Sequence, residues 1–423
     1  MLAANVFYKG CQWAMLVVLA WFGAPEFVGQ FVLSLAVTTP ILAFFMLQLR
    51  MVQATDATGE YKFGDYFVLR AVTTLLAFVA IVFTAICSGY RPELVMIIVA
   101  VGLSACIDSF SDIIYGLLQQ RERMDLIAKS MIIKGALSLA GLTVVFWATR
   151  QLLYGVLMIA AARLLVVLLC DISFAACVLQ ERSAVSGQKL KLEVNWQSAR
   201  LMALAKLSLP LGFVAMLDLL CYTTPKYFVA HYWGEAAVGI FGALFYIREV
   251  GATAVLAIGQ AAAPRLSQLF SSGRLRSYSQ LLMFLVGGSA AIGGLMVLAA
   301  WLAGPIILRA VYGVEYAEHA DTLVWVMIAA AVFFVALLNN FAMAAARCFR
   351  LQILVFAVVA VSSWIACYFL VPEGGLSGAA KALGVTSLTQ ILGQVIVIMY
   401  ALRSQQLACQ HNSVAALNME GLC

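Results

Sequence analysis

The chain consists of long apolar runs separated by short polar segments, and twelve of the runs are long enough to cross a bilayer. A bilayer core needs about 20 apolar residues in helical form. The runs are continuous rather than alternating, which argues against a transmembrane β-barrel. The predicted spans are residues 5–22, 29–49, 67–87, 93–118, 130–148, 154–179, 207–230, 237–263, 281–303, 322–346, 352–371 and 377–402. The pattern predicts an all-α polytopic membrane protein.

Lys and Arg are distributed unequally between alternate loops. If the N-terminus is cytoplasmic, the outer loops carry only Arg91, Arg150 and Arg309. The inner side then carries sixteen cations: Arg50, Lys62, Arg121, Arg123, Lys129, Arg182, Lys189, Lys191, Arg200, Lys206, Arg265, Arg274, Arg276, Arg347, Arg350 and Arg403. Because cytoplasmic loops are enriched in cations, both termini are predicted to be cytoplasmic.

The longest polar stretch, Gln180–Lys206, has six predicted spans on each side. We therefore predict a six-helix bundle over 1–180, a cytoplasmic linker over 181–206, a second bundle over 207–403 and a cytoplasmic tail over 404–423. Short similarities between the halves favour an internal duplication of the kind found in transporters.

Composition narrows the class of protein. The 423 residues are 64% apolar and 11% charged, against about 45–50% and about 25% in soluble domains. This excludes a soluble globular protein, a disordered chain and a nucleic-acid binder. The ten cysteines are scattered without a CxxC pair, and the chain has no Walker motif, so no metal site, redox pair or cofactor is expected.

Ten charged residues are predicted to lie at membrane depth, where each costs at least about 2.5–3.5 kcal/mol and normally faces protein or a cavity. The basic ones are Lys134, Arg163, Lys226, Arg248 and Lys381, and the acidic ones are Asp108, Asp112, Asp171, Asp218 and Glu249. Arg163 and Arg248 fall near the membrane midplane. The three lysines fall about one turn from a span end, and snorkelling to the interface is an alternative for them.

Two spans carry polar rows on one helix face. On the fourth span the row is Ser104, Asp108, Ser111, Asp112, Tyr115 and Gln119. On the seventh, Asp218, Tyr222 and Lys226 repeat every four residues between Pro210 and Pro225, and Thr223 and Thr224 could bond carbonyls that Pro225 frees. The acids either take up a proton or sodium ion during transport or act as buried partners of Arg163 and Arg248.

Uncharged polar and aromatic residues add weaker signals. Thr386, Gln390 and Gln394 form a row on the twelfth span, which either joins helices by hydrogen bonds or contacts sugar hydroxyls. Trp233 and Trp301 lie near span ends and are typical of an interfacial aromatic belt.

The basic residues within the spans come from both halves of the chain. A cavity lined by them would suit an anionic group such as a pyrophosphate, since Arg offers a bidentate fork.

Short motifs spread over most of the chain carry a resemblance to a known family. They are Gln48-Leu49-Arg50, Ala54-Thr55-Asp56, Tyr66 to Arg70, Gln119 to Asp125, Lys134-Gly135, Leu209-Pro210-Leu211, Pro225-Lys226, Gly239 to Gly242, Pro264 to Ser267, Val311-Tyr312-Gly313, Glu315-Tyr316-Ala317 and Gly375 to Ala380. Because these motifs occur together and in this order, the chain resembles the polysaccharide or O-antigen flippases (Wzx-type translocases) of the multidrug/oligosaccharidyl-lipid/polysaccharide exporter superfamily.

The resemblance implies two six-helix bundles around a cationic cavity in a bacterial cytoplasmic (inner) membrane. The implied substrate is an undecaprenyl-pyrophosphate-linked oligosaccharide, moved by alternating access, with a polysaccharide polymerase and a chain-length regulator as possible partners. Among cations on the helices that such flippases use, Arg248 fits a pyrophosphate contact best and Lys226 second. Lys9 is the only cation of the first span. Arg50 and Arg70 flank the side where a head group enters, although the positive-inside rule also accounts for them.

Two other functions stay open at the level of the sequence. One is a drug or metabolite exporter of the same superfamily, which would favour an acidic cavity for cationic drugs. The other is a membrane glycan polymerase or ligase, which would need a larger outer loop than Gly304–Asp321. We therefore expect a transporter and not an enzyme.

Overall fold

The computed structural model describes residues 1–56, 60–186, 198–346 and 349–420, with backbone only for residues 2, 180–186, 349–350 and 407–420. Lys189 and Lys191 of the predicted linker, and Arg347, lie outside the described residues. The side chains of Arg182 and Arg350 do so as well.

Every regular element in the described ranges is a helix. The helices are α1 (Leu2–Phe22), α2 (Pro25–Met46), α3 (Leu49–Thr55), α4 (Phe63–Cys87), α5 (Pro92–Gln120), α6 (Met124–Thr149), α7 (Leu152–Val166), a π-helical turn (Val167–Asp171), α8 (Ile172–Ser186), α9 (Ser198–Ser271), α10 (Leu275–Tyr312), α11 (Val314–Ala317), α12 (Ala320–Ala345) and α13 (Phe349–Glu420). Prolines at the first position of α2 and α5 start those helices, because a proline N–H would have no helical partner there.

The two longest helices each contain two predicted spans. α9 breaks at Gly234, with φ at 83°, and α13 breaks at Gly375, with φ at 56°. Glycine adopts these left-handed backbone angles without a steric penalty. Across the described residues, nine helical stretches are long and apolar enough to cross a membrane. Once α9 and α13 are divided at their breaks and α1 is added, the helices match the twelve predicted spans.

Large apolar side chains lie exposed along the helices, including Phe83 (68% exposed), Phe284 (77%) and Trp301 (68%). Exposed apolar patches of this extent are uncommon on soluble monomers and suit contact with lipid.

The described residues pack into two compact units, unit 1 up to Ala243 and unit 2 from Leu244. In unit 1, α5 contacts α2, α3, α4, α6, α7, α8 and the π-helical turn, so it lies at the centre of this unit. In unit 2, α12 packs against both α10 and α13. The first part of α9, which holds the seventh predicted span, belongs to unit 1. The division of the sequence at residues 181–206 stays a prediction.

Candidate functional site

The polar row on α5 lies against protein in unit 1. Its side chains and backbone contact residues of α1, α3, α4, α6, α7 and the π-helical turn, as the one-sided pattern in the sequence predicts. We call this set the α5 ion network, and its members are Tyr8, Arg50, Arg70, Ser104, Asp108, Ser111, Asp112, Tyr115, Gln119, Ser130, Lys134, Arg163 and Asp171.

Lys134 of α6 is the centre of the α5 ion network. Its Nζ lies 2.8 Å from Asp108 Oδ1, 2.5 Å from Ser111 Oγ and 3.7 Å from Asp171 Oδ2. The ammonium also lies 5.0 Å from the centre of the Tyr115 ring, and the side chain is only 2% exposed. Lys134 therefore does not snorkel to the interface, since the buried Asp171 and the partly buried Asp108 compensate its charge.

Asp171 is fully buried at the end of the π-helical turn. It accepts hydrogen bonds from Ser111, at 2.6 Å, and from Ser130. The Ser130 hydroxyl also lies 2.7 Å from the Tyr115 hydroxyl. A π-helical turn changes the direction of the following side chains, and here the carboxylate at its end meets donors from two other helices.

Arg163 and Tyr8 lie around Asp108. Arg163 Nη1 donates to the Ser104 carbonyl, one helical turn before Asp108 on α5, at 3.3 Å. The Tyr8 hydroxyl donates to Asp108 Oδ2 at 3.4 Å. Arg163 and Tyr8 therefore both contact the part of α5 that carries Asp108.

Arg70 and Arg50 share the carboxylate of Asp112. Arg70 Nη2 lies 3.2 Å from Asp112 Oδ2 and Arg50 Nη1 lies 3.5 Å from Oδ1. Arg50 Nε also donates to the Gln119 amide oxygen at 3.3 Å. Arg70 is 1% exposed and Arg50 is 31% exposed. Of these two cations, Arg50 is the one that an arriving anion could contact in this conformation.

The polar row of the seventh predicted span lies on the first part of α9. Its Asp218 is partly buried and its Lys226 is buried. Thr223 donates to the Leu219 carbonyl at 3.0 Å and Thr224 to the Leu220 carbonyl at 2.7 Å. The carbonyl that Pro225 deprives of a helical donor is the one four residues earlier, at position 221. Both threonines therefore bond carbonyls other than the freed one, contrary to the expectation from sequence.

In unit 2, Arg248 of α9 lies against aromatic rings. The guanidinium carbon is 3.7 Å from the Phe333 ring centre and 4.5 Å from that of Phe245. Arg248 is 2% exposed, and its Nη1 lies 3.7 Å from Glu249 Oε1, whose side chain is 47% exposed. We call Arg248, Phe245, Phe333 and Glu249 the Arg248 cluster. Neighbours in sequence point about 100° apart on a helix, yet the flexible side chains of Arg248 and Glu249 reach each other.

Lys381 and Lys9 lie outside both clusters. Lys381 is exposed, and its Nζ lies 4.8 Å from the Trp325 ring centre. Lys9 is exposed on α1.

The uncharged polar row on α13 contacts α12. Gln394 donates to Asn340 of α12 at 2.8 Å, and Gln390 and Thr386 are buried. The bond from Gln394 to Asn340 is of the kind that joins membrane helices.

Several contacts escaped the sequence analysis. Phe245 and Phe333 hold Arg248, and Tyr8 and Ser130 complete the α5 ion network. Spacing could have indicated two of them, because Ser130 precedes Lys134 by one helical turn and Phe245 precedes Arg248 by three residues. Within the described residues, no group of three or more histidine, cysteine, aspartate and glutamate side chains could hold a metal ion.

Comparison with known proteins gives one related sequence and several related folds. No family model matches the chain. Over 323 residues, covering 75% of this chain and 77% of the relative, it is 27% identical to the "Capsular polysaccharide biosynthesis protein CapF" of Staphylococcus aureus.

The fold is similar to those of solved membrane transporters. The lipid II flippase MurJ in an inward closed conformation matches with a TM-score of 0.75 and 12% identity, over 96% of this chain and 89% of MurJ. An inward-facing multidrug resistance MATE family transporter of the MOP superfamily matches with a TM-score of 0.66 and 15% identity, over 96% of both chains. These folds confirm the predicted all-helical, multi-pass membrane architecture of about twelve crossings. The two solved structures are those of a flippase and a transporter.

Proposed function

We propose that this chain, a flippase of the multidrug/oligosaccharidyl-lipid/polysaccharide exporter superfamily, moves an undecaprenyl-pyrophosphate-linked oligosaccharide across the bacterial cytoplasmic membrane. The translocated unit would be a repeat of a capsule, O-antigen or exopolysaccharide. Two relatives support this substrate class by their own descriptions, a capsular polysaccharide biosynthesis protein and a lipid II flippase.

The observation that carries the proposal is the environment of Arg248. Its guanidinium lies on the faces of Phe245 and Phe333. Ring faces attract a cation through their π electrons, and the nearby Glu249 carboxylate is 47% exposed at 3.7 Å, so an incoming anion could take its place beside the guanidinium. A guanidinium offers its N–H groups as a fork that fits a phosphate. In the proposed mechanism, a second conformation exposes Arg248 to the diphosphate of the lipid-linked substrate.

The test is the display of surface polysaccharide by cells that carry Arg248→Ala as their only copy of the gene. A lost charge-assisted hydrogen bond costs about 1.5–3 kcal/mol, which corresponds to about a tenfold to hundredfold weaker interaction with the anion. We expect Arg248→Ala to abolish display while the protein still inserts, and Arg248→Lys to retain part of it.

Arg274→Ala is the matched control, because Arg274 is an exposed arginine that bonds the nearby Ser272 hydroxyl. We expect this variant to display normally. Membrane abundance of all variants must be equal for the comparison to hold. Normal display from Arg248→Ala at equal abundance would remove Arg248 from the mechanism. A change in drug resistance with unchanged surface glycan would favour a drug exporter instead.

A further inference from the structure

A cavity of about 450 Å³ opens in unit 1 where α2 begins and α9 breaks. We call it the outer vestibule, since the loop charges predict that this end faces outward. Its walls come from the first turn of α2, the loop before α5 and the segment around Gly234. The lining residues used below are Glu26, Tyr90, Arg91, Trp233 and Glu235.

The backbones of α2 and α9 touch beside the outer vestibule. A Cβ added at Gly29 would lie 1.8 Å from the Glu235 carbonyl oxygen, and one at Gly239 would lie 2.0 Å from the Pro25 carbonyl oxygen. The Gln30 amide donates to Glu235 Oε2 at 2.9 Å. No side chain fits between the two backbones, so α2 and α9 close this side of the outer vestibule in the observed conformation.

The lining of the outer vestibule has the chemistry of a carbohydrate site. Trp233 is half exposed and Tyr90 is half-buried, and such rings combine a large apolar face with a polar edge. Glu26 and Glu235 can accept hydrogen bonds from sugar hydroxyls, and Arg91 can donate to sugar oxygens. Ligand sites commonly combine apolar and aromatic walls with a few polar groups in cavities of about 300–1,000 Å³.

The charges of the outer vestibule narrow the class of sugar. Two carboxylates and one guanidinium leave an excess of one negative charge among the ionisable lining residues. An ammonium group would therefore be favoured there and the carboxylate of a uronic acid disfavoured.

We propose that the outer vestibule is a glycan subsite that binds a neutral or amino sugar of the translocated substrate on the outer side. The inference rests on the proposed function for the origin of the sugar, and it assigns the glycan to residues other than those proposed for the diphosphate. It also gives Trp233 a role beyond the interfacial belt, because Trp233 lines a cavity beside carboxylates.

The experiment measures tryptophan fluorescence of the purified full chain in detergent during titration with glucosamine, glucose and glucuronic acid. We expect a saturable change with half-saturation on the order of millimolar, which corresponds to about 4 kcal/mol of binding free energy. Glucosamine should bind most tightly and glucuronic acid most weakly. Trp233→Phe should remove most of the fluorescence change, because the reporting ring is gone while an aromatic face remains.

Two further variants separate a sugar site from a general effect on the fold. Glu26→Gln and Glu235→Gln keep the hydrogen-bonding capacity of the side chain but remove its charge. Each should raise the half-saturation concentration for glucosamine about tenfold and that for glucose less. Trp301→Phe is the matched control, since Trp301 is another exposed tryptophan predicted near the outer interface. It should leave the sugar-dependent change intact.

The inference is overturned if no sugar gives a saturable change, or if Trp233→Phe leaves the change intact. It is also overturned if glucuronic acid binds as tightly as glucosamine. These outcomes concern soluble sugars and purified protein, so they leave the proposed flippase function standing. Conversely, normal display from Arg248→Ala would not alter sugar binding at the outer vestibule.

Discussion

The two units surround their buried cations in different ways. In unit 1, Lys134 has Asp108 at 2.8 Å and Asp171 at 3.7 Å. In unit 2, Arg248 lies on two phenylalanine rings, and its acidic neighbour Glu249 is at 3.7 Å with a half-exposed side chain. Both cations are nearly inaccessible, so burial alone does not distinguish them.

The difference indicates separate roles for buried charge. A cation bonded to buried carboxylates joins helices, and removing either partner leaves a charge without compensation. A cation that lies on ring faces beside a half-exposed carboxylate can exchange that carboxylate for another anion. We therefore propose that the α5 ion network is a structural element of unit 1 and that the Arg248 cluster contacts the anionic part of the substrate. The following three predictions test this contrast, from the largest expected effect to the smallest.

Lys134→Met should have the largest effect on stability. It leaves Asp108 and Asp171 near each other without the ammonium, and breaking a buried pair typically costs about 3–5 kcal/mol. We expect a clear fall in the thermal unfolding midpoint of the purified protein and lower abundance in the membrane. Arg248→Met is the matched comparison, with an expected loss of about 0.5–2 kcal/mol. Equal losses of stability in the two variants would contradict the contrast between the units.

Asp218→Asn should have a smaller effect on stability and a specific effect on transport. Asp218 is partly buried on α9, outside the α5 ion network. If it takes up the coupling ion, transport by this variant should weaken more than wild type when the ion gradient is partly collapsed. Surface display against graded ionophore concentration measures this. Asp112→Asn is the matched control, since Asp112 is shared by Arg50 and Arg70 and should affect stability instead. An ion dependence identical to wild type would exclude the coupling role of Asp218.

Lys381→Gln should have the smallest effect. Its ammonium is exposed and lies on the Trp325 ring, and exposed cation–π contacts contribute about 0.5–1 kcal/mol. We expect nearly normal display and a thermal midpoint close to wild type. A loss of display as large as that of Arg248→Ala would instead place Lys381 with Arg248 in the anion site.

Much of the fold could be predicted because membrane helices leave strong sequence signals. Eleven predicted spans lie largely in one helix each, the sixth runs through α7, the π-helical turn and α8, and the glycines at 234 and 375 fall between predicted spans. The polar row on α5 was also predictable, since a helix with charges on one face must turn that face towards protein or a cavity. The threonines beside Pro225 show the limit of such reasoning. Their position was predicted, but local geometry determines which carbonyls they bond.

The amino-acid sequence alone shows which residues carry charge within the predicted spans and which helix face each one occupies. These follow from composition and from a period of 3.6 residues. The partners of these residues are set by helix packing, because they come from segments distant along the chain. Tyr8 meets Asp108 across 100 positions and Gln30 meets Glu235 across 205. Helical periodicity fixes the direction of a side chain but not the neighbouring helix, and packing therefore determined that Lys134 meets carboxylates while Arg248 meets aromatic rings.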